Sequence, residues 1–297
     1  MKISELIINK QNNYKKEKKQ NKTFKIILLF ILLCLMIFFS SGLINKNRFV
    51  ENKLRLNFYN FTSYSQCLED FILYCIFYDI DKGFYIDIGA NDPNKISVTK
   101  AFYLNGWHGI NIEPLPEAFS DLLKYRTRDI NLNYGAGLKD DNLILYSSGV
   151  GSSLNKTFAR TSKTINIEIH SMSKICNKYA PKNKDIEFCK IDVEGYEKNV
   201  LLGYDFINFR PKVFCIESTL PGTSIPSYNE WEYILLENGY KFGFQYAINR
   251  YYFDSKIDIS KRFINLGKFI KEYKTIIQKK NCNFFIIIFN NNFSCCL

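Results

Sequence analysis

The sequence predicts an α/β domain with a mostly parallel sheet, an antiparallel edge strand and one transmembrane helix ahead of it. Three observations lead there. Short apolar runs rich in β-branched and aromatic residues alternate with helix-length patterns between residues 66 and 254. The last two runs, 240–247 and 248–254, follow each other with no room for a crossover helix, so they pair close to antiparallel at a sheet edge. Residues 26–44 form a run of 19 uncharged positions, most of them Ile, Leu or Phe.

As a helix, that run rises roughly 28 Å, close to the hydrocarbon thickness of a bilayer. A cleaved signal peptide would carry a shorter apolar region, about 7–15 residues, with a small-x-small site after it. Here Ser40, Ser41 and Gly42 lie inside the run. The segment is therefore expected to be an uncleaved anchor of a single-pass membrane protein. Seven Lys precede it within about 20 residues, and Lys46, Arg48, Lys53 and Arg55 follow. The bias favours a cytosolic N-terminus and leaves open the side on which the domain works.

Charge distribution argues for a membrane partner and against nucleic acid. The net charge is +11, but residues 1–25 hold eight Lys against two Glu, and residues 256–297 hold eight Lys or Arg against Asp258 and Glu272. Between them, residues 26–255 carry 24 basic and 25 acidic residues. A phosphate-gripping protein places positive charge on its folded face, whereas basic flanks suit an anionic lipid surface. The expected organisation is a basic segment at 1–25, the anchor at 26–44, a linker at 45–58, a catalytic domain at 59–255 and a basic amphipathic extension at 256–297.

Metal chemistry has little to build on. The chain has nine Cys and two His, His108 and His170, with no CxxC pair and no Cys/His constellation. Cys189 and Cys215 fall in apolar runs, where cysteine serves as a small buried hydrophobe. No metal site is expected.

Within the domain, residues 66–80 read as an amphipathic helix. Strands are expected at 84–88, 109–113, 130–135, 143–147, 164–170, 187–193 and 212–217, and helices at 97–105, 116–126, 172–179, 196–203 and 227–238. Buried strands alternating with such helices imply a sheet covered on both faces.

The first strand ends in Asp87-Ile-Gly89-Ala90-Asn91, a small-residue turn after an apolar run. In a doubly wound sheet, the carboxyl end of the first strand lies at the switch point where a ligand binds. The second strand ends in Glu113, 24 positions after Gly89. A carboxylate there can accept both hydrogen bonds of a ribose diol. NAD enzymes use the same geometry, but the turn lacks the GxGxxG pattern that a pyrophosphate wants. An Asp-bearing turn suits a cofactor with a sulfonium and an amino acid.

The sequence resembles the FkbM-type methyltransferases from about residue 65 to 254. The resemblance rests on Ser65-Gln66…Glu69-Asp70, Phe84-Tyr-Ile-Asp-Ile-Gly-Ala-Asn-Asp-Pro93, Gly106-Trp107…Gly109-Ile-Asn-Ile-Glu-Pro114 and Lys190-Ile-Asp-Val-Glu-Gly195. It continues through Arg210-Pro211-Lys212, Glu217, Leu220-Pro-Gly-Thr223, Trp231-Glu232, Gly239-Tyr240 and Asn249-Arg250. Such a resemblance implies a Rossmann-like class I methyltransferase fold, S-adenosyl-L-methionine as methyl donor, and O-methylation of a sugar hydroxyl of a glycan or a related small molecule. It places Asp87, Gly89, Ala90 and Asn91 along the cofactor's amino-acid end and Glu113 on its ribose. Two positions depart from the family's tendencies: Leu68 where relatives tend to have Gly, and Leu138 where they tend to have an acidic residue.

Asp192 and Glu194 close the strand expected beside the methyl-transfer site. Transfer to a hydroxyl needs alignment and a base, and either carboxylate can serve as that base; helix capping is the alternative role. His108 is expected to be structural, and His170 is a weaker candidate base. A catalytically idle descendant, kept as a membrane-anchored binding or trafficking protein, is the rival to the enzyme; a binding module has no need of the acidic ribose contact at Glu113.

Overall fold

The computed structural model describes residues 61–257, apart from Arg160 and Asn183, together with Leu266. The expected basic segment, anchor and linker, and nearly all of the 256–297 extension, lie outside the described residues. Among the described residues no helix is long and apolar enough to cross a membrane.

The main sheet has seven strands: β1 (Phe84–Ile88), β2 (His108–Ile112), β3 (Ile130–Leu132), β7 (Ile186–Ile191), β8 (Pro211–Glu217), β9 (Tyr240–Tyr246) and β10 (Asn249–Asp254), in the order β3-β2-β1-β7-β8-β10-β9. Five of them, β3, β2, β1, β7 and β8, run parallel. The closing hairpin sits at the edge as its short connection requires, but the strand running against the sheet, β10, takes the inner place beside β8 and leaves β9 outermost. The chain winds outward from β1 to β3, then returns to β7 on the other side of β1. That reversal makes the carboxyl ends of β1 and β7 a topological switch point.

The runs at 130–135, 143–147 and 164–170, expected in one sheet with the rest, do not all join it. The 130–135 run divides between β3 and β4 (Gly135–Gly137), and β4 joins β5 (Asp141–Tyr146) and β6 (Thr164–Ser171) in a separate sheet of order β4-β6-β5. The reason is burial. β1 and β7 are buried at every position, whereas β5 and β6 alternate, with Ile144 52% exposed. Strands apolar on one face cannot occupy the middle of a sheet covered on both.

Helices cover both faces of the main sheet. Side chains of α4 (Met172–Tyr179), α5 (Glu197–Leu202) and α6 (Glu232–Glu237) pack with Ile86, Ile88, Ile110, Ile112, Ile191, Phe214 and Ile216 in one apolar cluster. On the opposite face, α1 (Glu69–Ile76) and α2 (Lys100–Leu104) contribute buried side chains around Tyr85, Trp107 and Phe188, with Phe102 4.9 Å from Phe188 between ring centroids. α3 (Pro116–Tyr125) starts with Pro at its first position, where a missing N–H costs nothing. Cys189 and Cys215 are free and buried in β7 and β8.

α1 starts at Glu69 rather than at 66, because Leu68 sits in the left-handed region at φ 63, and it ends at Ile76 rather than at 80. Asp70 then gathers the preceding loop, accepting from the Ser63 and Ser65 hydroxyls and from the Tyr64 and Phe71 N–H groups. A non-glycine residue pays about 1–2 kcal/mol for that backbone.

Candidate active site

Strand alternation builds the site. On the face covered by α1 and α2, register pairs Asn111 with Asp87, Asp87 with Lys190, and Lys190 with Cys215. One step further along, every ladder has just ended at Ile112, Ile88, Ile191 and Ile216. The next residues, Glu113, Gly89, Asp192 and Glu217, therefore form a second row at the carboxyl edge, and Asn249 extends it through its pairing with Glu217. Two rows of polar groups on adjoining strand ends make a floor that no single motif spells out.

Lys190 is the hub. Its ammonium donates to the Gly89 carbonyl at 2.9 Å and lies 3.6 Å from Asp87 Oδ1 and 3.5 Å from Asp192 Oδ2. Burial alone would lower its pKa, but the Asp192 and Asp87 carboxylates hold it above the usual lysine value. Asp87 is 1% exposed. Its Oδ2 accepts from the Thr99 hydroxyl at 2.9 Å, while Oδ1 has no hydrogen-bond donor and answers only to the Lys190 charge.

The turn after β1 is fixed from the β2 side. Gly89 and Ala90 donate to the Ile112 carbonyl at 3.0 and 3.2 Å, and Asn91 N–H donates to Glu113 Oε2 at 2.8 Å. These amides face β2, and α2 begins only at Lys100, so the turn meets a ligand with carbonyls and side chains. Gly89 has φ +78, and a Cβ there would collide with the Asp192 carbonyl; only glycine lets β1 and β7 end so close together. Asn91 also takes a positive φ of 48.

Glu113 is 4% exposed, with Oε1 accepting from Leu115 N–H at 2.8 Å and Oε2 from Asn91. Burial pushes its pKa up to about 6 against those two hydrogen bonds. Each carboxylate oxygen retains a second lone pair, so the group that fastens the turn can still receive a diol.

Asp192 stands at the centre of the edge row with its side chain 33% exposed, reachable from outside yet paired to Lys190. It does not cap a helix: the N-cap of α5 is Tyr196, which makes no side-chain cap bond. Glu194 lies two residues on, in a turn at φ 52, where its carbonyl accepts from the Ser153 hydroxyl at 2.7 Å. The remaining candidates sit elsewhere. His170 is in the small sheet, 3.3 Å from Asp140 and 3.4 Å from Glu168. His108 opens β2 at the opposite end from Glu113, its ring edge-on to Phe84. Leu138 follows β4 and is 48% exposed. Among the described residues no group of carboxylate, Cys and His side chains is arranged to hold a metal.

Sequence reasoning passed over Lys190, Thr99, Glu197 and Glu217 as site residues. A lysine within Ile186-Glu-Phe-Cys-Lys-Ile191, a fully buried strand, was the available signal, since a buried ammonium demands carboxylate partners. Glu197 is 3% exposed and accepts from Val193 N–H at 3.2 Å and Gly195 N–H at 3.1 Å, holding the turn that carries Asp192 and Glu194. Burial first, with Asp192 adding to it against the backbone bonds, pushes its pKa up to about 7. A carboxyl raised in the folded state loses stability as pH climbs from the unfolded value, roughly 4.5, to the folded one. Glu197→Gln keeps the acceptor oxygen. It should match wild type near pH 4.5 and exceed it by about 3 kcal/mol at pH 8. Denaturant unfolding of the full chain at the two pH values checks this, and equal stabilities at pH 8 would contradict it.

Fold and site together define an open α/β domain with polar side chains gathered at the carboxyl edge of its first, second and fourth parallel strands. The model of the Methyltransferase FkbM domain matches residues 87–242, more than half of the chain, and the chain belongs to that family. Among solved structures, Methyltransferase FkbM from Methylobacillus flagellatus KT is similar at 16% identity with a TM-score of 0.38, over 58% of this chain. The match spans 44% of that structure's chain. No curated protein matches.

Proposed function

We propose that this chain is an S-adenosyl-L-methionine-dependent methyltransferase that O-methylates a sugar hydroxyl of a glycan or a related small molecule at a membrane surface. The observation that carries the reading is the edge row: Glu113, Gly89 and Asp192 on three neighbouring strand ends, backed by Asp87 and Lys190. The residues fit the donor. Asp87 Oδ1 is a buried acceptor without a hydrogen-bond donor, and the carboxylates of Asp87, Asp192 and Glu113 outnumber the one ammonium, a balance that favours a sulfonium cation. When bound, S-adenosylmethionine supplies an electrophilic methyl group. In this reading Asp87 and the Gly89–Asn91 turn receive its amino-acid end, Glu113 accepts from the ribose hydroxyls, and Asp192 takes the proton of the acceptor hydroxyl. The idle-descendant reading gains no support from a floor of buried, charged groups, which a binding module has no reason to keep.

The sugar class of the acceptor rests on the family resemblance. The membrane rests on the uncharged 26–44 run and the basic flanks, and the balanced charge between them speaks against a nucleic-acid substrate. Full-length protein in detergent, given methyl-labelled S-adenosylmethionine and a glycan extract from its host cells, should transfer label into an alkali-stable ether. Label in an alkali-labile ester, or none in any extract, would sink the reading.

Glu113→Ala removes both the ribose acceptor and the tie to Asn91 N–H. The dissociation constant for S-adenosylmethionine should rise at least tenfold, about 1.4 kcal/mol. Equal affinities by calorimetry would remove the ribose role from Glu113.

A further inference from the structure

Glu217 has no part in the function proposed so far, yet it is the neighbour of Asp192 in the edge row. The β7–β8 ladder ends at Ile191 and Ile216, so Asp192 and Glu217 follow side by side on parallel strands and point to the same face. Glu217 is 6% exposed, and its Oε2 is buried without a donor. The charges that weigh most on it are acidic: the carboxyls of Asp192, Glu197 and Glu194, with Asp192 within hydrogen-bonding reach. Asn249, across the β8–β10 ladder, spends its amide on Glu69 Oε1 at 2.7 Å. The Lys190 ammonium sits against Asp192.

Two carboxylates in hydrogen-bond contact repel unless one carries a proton. The positions decide which one. Asp192 has Lys190 3.5 Å away and a third of its side chain in solvent, so the negative charge of the pair is better placed there. Glu217 is enclosed among acids, and burial with the nearby Asp192, Glu197 and Glu194 charges drives its pKa far above the carboxylate range. A protonated Glu217 also resolves its orphan oxygen, because the carboxyl becomes a donor.

We infer that Glu217 is a positioning residue for methyl transfer, a protonated carboxyl that donates a hydrogen bond to Asp192 and aims its free lone pairs at the acceptor hydroxyl. The inference rests on Asp192 being the base, as proposed above. Lys190 and Glu217 then hold the Asp192 carboxylate from two sides, and the acceptor meets it from the third.

Two measurements on the full-length protein need no acceptor. The infrared difference spectrum, wild type minus Glu217→Gln at neutral pH, should show the C=O stretch of a protonated carboxyl; its absence overturns the inference. In ¹³C-carboxyl NMR, Asp192 should titrate at least one pH unit higher in Glu217→Leu, which has no donor, than in wild type or Glu217→Gln. An unchanged Asp192 titration in Glu217→Leu also overturns it. With a glycan extract as acceptor, Glu217→Leu should lower kcat at least tenfold at unchanged S-adenosylmethionine affinity, and Glu217→Gln should recover most of the loss. Full turnover in Asp192→Asn would refute the base itself. Loss in Asp192→Asn with wild-type turnover in Glu217→Leu would refute Glu217 alone.

Discussion

Asp192→Asn should lower turnover by roughly 10²–10⁴-fold, the contribution of a positioned base, while the melting temperature moves little. The structure explains why function and stability separate here. Asp192 is partly exposed and caps no helix. Its loss leaves Lys190 with Asp87 and the Gly89 carbonyl as partners. The amide keeps the size of the carboxylate and can still meet Glu217, so what disappears is basicity. Glu194→Gln tests the other carboxylate of the strand end, which sits in the following turn and outside the row. Turnover preserved in both variants would end the assignment of a base to this edge; a drop in stability with turnover intact would make Asp192 a structural residue.

Lys190→Met should cost about 3–5 kcal/mol, the penalty for stranding a buried charge. For a domain of this size that is a fall in melting temperature of roughly 6–20 °C. The victim is Asp87, which is fully buried with one oxygen bonded to Thr99 and the other facing only the lysine. Methionine fills the space of the stem, so the loss is electrostatic. Adding Asp87→Asn to Lys190→Met should return much of the stability, since two neutral groups leave no unpaired charge, and the double-mutant cycle then reports the coupling. A cost under 1 kcal/mol for Lys190→Met alone would mean that Asp87 does not depend on it.

Much of the fold could be read from residue patterns. The apolar runs expected at 84–88 and 187–193 announce central parallel strands, found at 84–88 and 186–191, and a hairpin too short for a crossover announces the antiparallel pair. What escaped was information that sequence neighbours do not carry. The alternation in Thr164-Ile-Asn-Ile-Glu-Ile-His-Ser171 is that of a half-exposed strand, but its partners, β4 and β5 in a second sheet, are set by long-range pairing. The site divides the same way. Asp87, Glu113 and Asp192 could be picked out because each ends an apolar run. Lys190 carried a signal as a lysine inside an apolar run, but its partner Asp87 comes from register between strands, and register alone sets Glu217 beside Asp192. The turn glycine was legible as a glycine, and its reason was not: Gly89 makes room for the Asp192 carbonyl.

In the proposed function the carboxyl edge of β1, β2 and β7 receives S-adenosylmethionine. Hydrogen–deuterium exchange of the full-length protein, with and without saturating S-adenosylmethionine, tests it most directly. Exchange should slow in residues 87–92, 113–116 and 192–197, with the small sheet around His170 unchanged. No protection at those three strand ends, or protection confined to the small sheet, would contradict it.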